Sequence, residues 1–353
     1  MREKLLEAIR GAGEEAYELD LGGGTIVVLP HGGRILGLFP PGGGENFFWT
    51  NPALLGADSA RDLFASEGWH NPGGDRTWLA PEVDFFFPDY PKLDRYVQPR
   101  GLDTERYAVA LRGGGATLTT AVRATLSRSR IEAEVEIRKE VAEAPNPLRH
   151  DRELADLRDV EYAGYRLRTG VRFVGGERSS RAWVGAWNLL QLPHGGEMVL
   201  PTFGRAEPRV YFGNLSPGDL TVSEGLVIWR MRAPGEHKIG LRAVSCAGRA
   251  GYLYRSGERW SLVVRSFRVD PSGEYVDVPP ADPHDLGYAF QACSIDSALG
   301  AFSELEHHAP AASAASGGVS EDVSELWAFR GPLAPVRRVA ARLLGFPAGG
   351  SEP

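Results

Sequence analysis

The chain has 353 residues, of which 42% are hydrophobic and 24% charged, and its formal net charge at pH 7 is −7. This composition is typical of a globular protein that buries a sizeable core, and the lack of a basic stripe disfavours nucleic-acid binding. The 44 glycines and 25 prolines favour many turns and short strands over long helices.

The first predicted element is a short helix over Arg2–Ile9 that ends at Gly11. This charged, amphipathic start lacks the apolar stretch of a signal peptide, and the sequence contains no apolar run long enough to cross a bilayer. We therefore expect a cytoplasmic protein with no membrane partner. A β-hairpin is predicted next, over Thr25–Phe39.

The stretch from Pro40 to Pro99 is rich in loop residues and aromatic clusters, and it contains one predicted helix at Ala57–Phe64. So long an irregular segment in a compact protein is usually either functional or poorly ordered. Its many aromatic residues argue against disorder, so a functional segment is expected here.

Strands dominate the rest of the chain. Arg130–Arg138 alternates apolar and charged residues, as a half-solvated antiparallel strand does. Further strands are predicted at Tyr107–Leu111, Thr117–Ala124, Tyr165–Phe173, Arg181–Gln191, Leu220–Arg232, Lys238–Val244, Ala250–Arg255, Trp260–Val269, Tyr288–Ser294, Ala301–His307 and Glu321–Arg330, before a second helix at Pro335–Leu344. No βαβ rhythm appears, so we predict an all-β, antiparallel sandwich or barrel, a single domain over 1–353 with terminal helices.

Two cysteines, Cys246 and Cys293, allow at most one disulfide bond. Neither belongs to a Cys-x-x-Cys pair or to a Cys/His cluster with the spacing of a zinc site. We expect neither a metal nor a cofactor.

The segment Gly68–Glu82 has an unusual density of aromatic, imidazole, guanidinium and carboxylate groups. Sugars are recognised by aromatic faces that pack on their C–H patches and by a few well-placed polar groups. Candidates of these types are Trp69, Asp75, Arg76, Trp78 and Glu82. A buried Arg76 needs a carboxylate partner, which Asp75 or Glu82 can supply. The alternative is a structural loop in which Arg76 merely ties down Glu82.

Upstream, the segment Gly44–Pro52 places Asn46, Trp49 and Asn51 close together. Asn46 and Trp49 are candidates to line a cleft. Alternatively, the asparagines form Asx-turns and the aromatic residues of this segment belong to the core.

Two later segments add candidate acid–base groups. In Ala186–Thr202, a predicted strand carries Trp187 and Gln191 into a turn at His194, whose imidazole titrates near neutrality but can equally be a solvated turn residue. In Ser303–Pro310, the side chains of Glu304 and Glu306 share one strand face, and His307 and His308 follow directly. Carboxylates beside imidazoles suit acid–base chemistry.

Five stretches, in this order, resemble the galactose mutarotase-like superfamily, and they are most similar to its uncharacterised bacterial branches. The stretches are Trp49–Pro52, Gly73–Glu82, Trp187–Gly196, Lys238–Gly240 and Glu304–Glu306. The resemblance covers roughly residues 20–330. It implies a large antiparallel β-supersandwich that binds a carbohydrate in a cleft on one sheet, with Lys238 and Glu304 among the substrate-binding residues.

The resemblance also implies catalytic roles. In mutarotases a C-terminal glutamate in a Leu-Glu-x-Gln-x-x-Pro setting takes the anomeric hydroxyl proton, while a histidine protonates the ring oxygen. Leu305-Glu306 with Pro310 resembles that setting, so Glu306 is the implied base, and His70 is the implied acid. The family's own histidine element is absent here, and its equivalent, Ala186–Gln191, has no histidine before His194.

Three functions remain open from the sequence. The first is an epimerase-like acid–base catalyst using Glu306 with His70 or His194. The second is a glycoside hydrolase or lyase using paired carboxylates such as Glu82 and Glu306. The third is a sugar-binding module without catalysis. In each case the partner is a small or oligomeric carbohydrate, and the oligomeric state is left open.

Overall fold

The computed structural model describes residues 1–67, 70–154 and 157–346. Its α-helices are α1 (Arg2–Gly11), α2 (Ala57–Ala65), α3 (Glu82–Phe86), α4 (Arg100–Asp103) and α5 (Leu333–Leu344). Short 3₁₀ turns lie at Pro52–Leu55 and Ala243–Ser245. None of the helices in these ranges combines the length and the apolarity that crossing a membrane requires.

The described strands form two sheets, and the strand pairs in both are antiparallel. The first sheet contains β1 (Tyr17–Asp20), β2 (Thr25–Leu29), β3 (Arg34–Phe39), β4 (Asp75–Ala80), β9 (Trp183–Pro193), β11 (Arg209–Phe212), β13 (Gly235–Leu241), β16 (Phe290–Ser297), β17 (Gly300–His308) and β18 (Ala312–Ser313). Its order is β1-β2-β3-β4-β9-β17-β16-β13-β11, with β18 paired to β9.

The second sheet contains β5 (Ala108–Arg112), β6 (Gly115–Thr125), β7 (Glu132–Glu143), β8 (Glu161–Gly176), β10 (Glu197–Arg205), β12 (Leu220–Arg230), β14 (Arg249–Ser256), β15 (Arg259–Ser266) and β19 (Ser320–Gly331). Its order is β12-β10-β14-β15-β19-β8-β7-β6-β5. The predicted all-β, antiparallel class is therefore confirmed.

The core lies between the inner faces of the two sheets. A continuous cluster of buried side chains there includes Leu190 of the first sheet and Tyr165, Leu167 and Val263 of the second. The outer faces are covered in part by helices, since α5 packs on β10, β14, β15 and β19, while α1 packs against α2 beside the outer face of β2 and β3. Successive side chains of a strand point to opposite faces, so each strand of the first sheet contributes to the core with one face only.

The terminal helices and most predicted strands occur where the periodicity placed them, with bounds that differ by a few residues. In the stretch from Pro40 to Pro99, the helix predicted at Ala57–Phe64 is confirmed as α2, but the prediction missed the regular strand β4 and helix α3. β4 has the sequence DRTWLA and is buried along its whole length. It therefore lacks the alternation of apolar and polar residues that identified the other strands.

The two cysteines are both buried free thiols and lie on different elements of the fold. Cys246 follows the 3₁₀ turn Ala243–Ser245, whereas Cys293 lies on β16 in the first sheet. The bridge that the sequence left open is therefore not formed.

Candidate functional site

The outer face of the first sheet carries a cavity of about 400 Å³ at its centre. Neighbouring strands β4, β9, β17, β16, β13 and β11 form its floor, and residues from α3 and the following loop form one side. The residues that line it are Arg76, Trp78, Glu82, Phe87, Tyr96, Trp187, Leu189, Tyr211, Phe212, Glu236, Lys238, Pro280, Cys293, Ile295, Leu299, Phe302, Glu304 and Glu306.

Arg76 and Glu304 form a buried ion pair in the floor of the cavity. Arg76 Nη2 lies 3.0 Å from Glu304 Oε1, and the same oxygen accepts a hydrogen bond of 2.9 Å from the side-chain amide of Gln191. The guanidinium also lies over the indole of Trp78, 4.3 Å from the ring centroid. These contacts hold Arg76 flat against an aromatic wall, which is a common arrangement for arginine at binding sites.

Lys238 and Glu306 form a second pair beside the first. Lys238 Nζ lies 3.0 Å from Glu306 Oε2, and the indole nitrogen of Trp187 donates to the same oxygen at 2.8 Å. Glu306 is buried, and its Oε1 accepts no hydrogen bond from the described residues. Burial raises the pKa of Glu306, although Lys238 opposes that rise. Burial would lower the pKa of Lys238, but Glu306 and Glu82 together raise it, so the ammonium stays charged.

Glu82, at the start of α3, lies on the side of the cavity. Its backbone N–H donates to Asp277 Oδ1 at 2.7 Å, and the hydroxyl of Tyr96 donates to its Oε1 at 3.3 Å. Burial raises the pKa of Glu82 to about 7, with Asp277 and Glu306 adding to the rise and Lys238 opposing it. A carboxyl group with this pKa is half protonated near neutral pH and can act as an acid there.

Two glycines allow β4 to lie close to its neighbours. Gly73 and Gly74 have φ values of +100° and +77°, which residues with a side chain rarely adopt. A Cβ on Gly74 would lie 2.4 Å from the carbonyl oxygen of Ile35. The N–H of Gly74 donates to the carbonyl of Trp49 at 3.0 Å, which joins two of the segments singled out in the sequence.

Seven predicted site residues come together around the cavity: Arg76, Trp78, Glu82, Trp187, Lys238, Glu304 and Glu306. Gln191 is fully buried on β9 and donates to Glu304. The expected partner of Arg76 needs correction, because Arg76 pairs with Glu304 and not with Asp75 or Glu82. The side chain of Asp75 points to the opposite face of β4, where it pairs with Arg265 and Tyr165 between the sheets. The two-residue period of a strand puts neighbouring residues on opposite faces.

Neither histidine proposed as the acid lines the cavity. His70 Nε2 lies 2.7 Å from His31 Nε2, and the two rings stack with centroids 4.7 Å apart. His194 lies in the turn between β9 and β10. Burial lowers the pKa of both His70 and His194. The structure therefore does not bring either imidazole to Glu306.

The other predicted residues of the loop segments lie away from the cavity. Asn46 Oδ1 accepts from the N–H groups of Leu38 and Phe48, each at 3.0 Å, so it stabilises a turn as its alternative interpretation predicted. Trp49 packs against Phe302, a residue of the cavity wall, with ring centroids 4.8 Å apart. Trp69 lies outside the described residues.

Tyr96, Tyr211 and Cys293 line the cavity, although the sequence gave no reason to select them. Tyr211 lies on the short edge strand β11, where Lys238 approaches its ring to 5.5 Å from the centroid. A four-residue strand with an irregular register gives no clear periodic signal. Cys293 lies on the predicted strand Tyr288–Ser294, but only the structure shows that it pairs with Lys238 on the neighbouring strand β13.

Cys293, Glu304 and Glu306 have potential metal-ligand atoms within 4.8 Å of one another. Arg76 and Lys238 already neutralise the two carboxylates. Burial, together with Glu304 and Glu306, raises the pKa of the Cys293 thiol well above its usual value, so it is not a thiolate.

A family model described as a family of unknown function, DUF6786, matches residues 20–348. No curated protein matches the sequence. Among solved structures, a galactose mutarotase-like protein from Lactobacillus casei ATCC 334 is 11% identical, with a TM-score of 0.52 over 88% of this chain and 99% of that one. An Escherichia coli K12 protein solved as a candidate aldose 1-epimerase is 11% identical, with a TM-score of 0.53 over 90% and 99%. At such low identity this likeness establishes the galactose mutarotase-like fold, as the sequence resemblance predicted.

Proposed function

The chain belongs to the DUF6786 family, whose function is unknown, and we propose that it is a carbohydrate-active enzyme that interconverts the anomers of a sugar by acid–base catalysis. The proposal places the sugar in the cavity on the outer face of the first sheet. Glu306 is the base and Glu82 is the acid. Both sequence candidates for an imidazole acid lie elsewhere, and none of the described side chains that line the cavity is a histidine.

The observation that carries the proposal is the state of Glu306. One of its oxygens is held by Lys238 and Trp187, while the other is buried beside the cavity and has no hydrogen-bond partner among the described residues. A carboxylate fixed on one side and vacant on the other is oriented to take a proton from a bound hydroxyl. The N–H donors on its bonded oxygen favour the charged form that a base needs.

The reaction requires one proton to leave and one to arrive. Glu306 takes the proton of the anomeric hydroxyl, and Glu82, protonated in part near pH 7, gives a proton to the ring oxygen as the C1–O5 bond breaks. The open aldehyde rotates and the ring closes by the reverse transfers, which restores both carboxyl groups. Acid–base assistance of this kind accelerates proton transfer by about 10²–10⁴-fold for each group.

The walls of the cavity support a sugar as the ligand. Trp78 and Trp187 meet edge to face, with ring centroids 5.3 Å apart, and present an aromatic surface beside Arg76 and Lys238. Aromatic surfaces next to a few fixed polar groups are typical of sites for small ligands that carry both C–H and hydroxyl faces.

A second candidate function is glycoside hydrolysis. It is favoured by the pairing of Glu82, whose pKa is raised to about 7, with Glu306, because hydrolases use one protonated and one ionised carboxyl group. Glycosides and free sugars as substrates separate this candidate from the epimerase-like one.

The test begins with a thermal-shift screen of free sugars and glycosides. NMR exchange spectroscopy on each hit then measures anomer exchange, and a reducing-sugar assay measures hydrolysis. We expect faster anomer exchange with the wild type and a loss of about 10²–10⁴-fold in Glu306→Gln. The matched control is Glu321→Gln, since Glu321 is 41% exposed on the second sheet and should leave the rate unchanged.

Release of reducing sugar without anomer exchange would replace the epimerase proposal with the hydrolase. Binding without either reaction would make the protein a sugar-binding module. Full exchange activity in Glu306→Gln would remove Glu306 as the base.

A further inference from the structure

The cavity is polar at one end and apolar at the other. Glu306, Lys238 and Glu304 lie at the polar end, with Glu82 beside them. At the other end, Ile295 and Phe302 lie opposite each other across β16 and β17, and Leu299 lies in the turn that joins these strands. The partly buried Trp49 packs against Phe302 and extends this apolar wall.

The distance between the two ends exceeds one sugar ring. Phe302 and Glu306 are four residues apart on β17, which corresponds to about 13 Å along an antiparallel strand. A sugar whose anomeric carbon lies at Glu306 therefore leaves the wall of Ile295, Leu299 and Phe302 uncovered. The cavity volume of about 400 Å³ lies within the range of pockets that hold drug-sized molecules.

The rim near this end carries an exposed aromatic side chain and a carboxylate. Phe212, on the edge strand β11, lines the cavity and is 43% exposed. In the register of the sheet it lies opposite Lys238, which in turn lies opposite Cys293, at the level of Glu304 between Phe302 and Glu306. Exposed apolar surface that continues into a buried apolar wall often marks a binding site. The carboxylate is that of Glu236, which lines the cavity beside Ile295, and its Oε1 accepts a hydrogen bond of 2.9 Å from the Ser297 hydroxyl.

We propose that the cavity takes a sugar that carries an apolar substituent on the side of the ring away from the anomeric carbon. The substituent lies against Ile295, Leu299, Phe302 and Phe212, while the ring lies over Arg76 and Glu304. This inference rests on the proposed function, because Glu306 fixes which end of the sugar is the reacting one. It adds a substrate class: aryl- or alkyl-substituted sugars with a free reducing end.

The experiment compares pairs of ligands that differ only in the substituent. The 4-O-benzyl and 6-O-benzyl ethers of glucose and galactose are compared with the corresponding methyl ethers, and each dissociation constant is measured by isothermal titration calorimetry. At least one benzyl ether is expected to bind about tenfold tighter or more than its methyl partner, as for a group added in an apolar pocket. Leu299→Asn should remove most of this gain.

The control variant is Leu55→Asn, because Leu55 is 69% exposed on the 3₁₀ turn Pro52–Leu55, outside the cavity. Phe212→Ala is the second test variant in case Leu299→Asn does not fold, and it should reduce the gain as well. Equal affinities of all benzyl and methyl ethers would overturn the inference, as would a gain that persists in both variants.

Anomer exchange of the same ethers, followed by NMR, separates this inference from the proposed function. Tight benzyl-ether binding without anomer exchange would support the apolar subsite and refute the proposed epimerase activity. Anomer exchange without any benzyl gain would refute the subsite alone. Failure of all sugars and ethers to bind would refute both.

Discussion

The two faces of strands β4 and β17 carry the same kinds of groups in different surroundings. On β4, Arg76 faces the cavity while its neighbour Asp75 faces the interior between the sheets. On β17, Glu306 faces the cavity while His307 faces the interior and lies 2.9 Å from Asp322 of the second sheet. Each of these four side chains is buried and paired with an opposite charge or a hydrogen-bond partner.

The interior pairs join the two sheets. Asp75 pairs with Arg265 and Tyr165, and His307 bonds Asp322 close to Asn188, whose side chain also donates to Asp322 at 3.2 Å. The cavity pairs, in contrast, each join two strands of a single sheet that are separated by one strand, and they border an open volume. Burial and charge pairing therefore do not distinguish a site from a structural link. What distinguishes them is access to a ligand, which depends on the strand face that carries the side chain.

The largest expected effect comes from breaking an interior pair. Asp75→Asn leaves the guanidinium of Arg265, which is 1% exposed, without its counter-charge. We expect the free energy of unfolding to fall by about 3–5 kcal/mol, as for other buried pairs that lose one partner. Denaturant unfolding measures the change.

The control for that measurement is Arg168→Ala, which removes an exposed pair with Glu321 on the second sheet. Exposed pairs of this kind contribute little to stability, so the control should unfold like the wild type. An Asp75→Asn protein as stable as the control would contradict the structural role given to the interior face.

A smaller effect is expected from the equivalent change on the cavity face. Arg76→Met leaves Glu304 buried, but Gln191 still donates to it and the adjacent cavity admits water. We expect a loss of about 1–3 kcal/mol in the free energy of unfolding, together with weaker sugar binding. Calorimetric titration of the folded variant measures the second effect. A loss as large as in Asp75→Asn, with sugar binding intact, would show that the cavity pair is structural.

The smallest expected effect is the pH dependence that Glu82 imposes on the rate of anomer exchange. Because its pKa is raised to about 7 and the acid must be protonated, the rate of anomer exchange should fall as the pH rises above 7, by about tenfold per pH unit. The rate should also fall on the acid side, where Glu306 takes up a proton. NMR exchange rates between pH 5 and 9 give the profile.

Glu82→Gln is the variant that checks this assignment. It should lower the rate and abolish the alkaline fall, since no proton is left to lose at that position. An unchanged alkaline fall in this variant would assign the titration to another group. A thermal-unfolding scan at each pH excludes loss of folded protein as the cause.

How far the site follows from the sequence differs between residues. Arg76, Glu304 and Glu306 were selected by residue type and motif, and the structure places them at one cavity. The partner of Arg76 was predicted among its neighbours in the chain, but it is Glu304, 228 positions away in sequence, on a strand beyond β9. No local pattern specifies such a partner, because strand order is set by the packing of the whole sheet.

The histidines show the opposite case. His70 was selected because it precedes the Gly-Gly-Asp-Arg motif, yet Gly73 and Gly74 turn the chain between His70 and β4. His70 consequently packs on His31 and bonds through its backbone to Gln98, away from the cavity. Proximity in the sequence therefore did not predict where His70 lies, because the positive φ angles of Gly73 and Gly74 change the direction of the chain.

The sequence by itself determined the all-β class, the terminal helices and most of the strands, because alternation and turn residues act locally. It also supplied the residue types of a carbohydrate site. Only the tertiary structure decided which face of each strand borders the cavity and which carboxylate meets Arg76. Register and strand order depend on contacts between distant segments, and a shift of one residue moves every side chain to the other face.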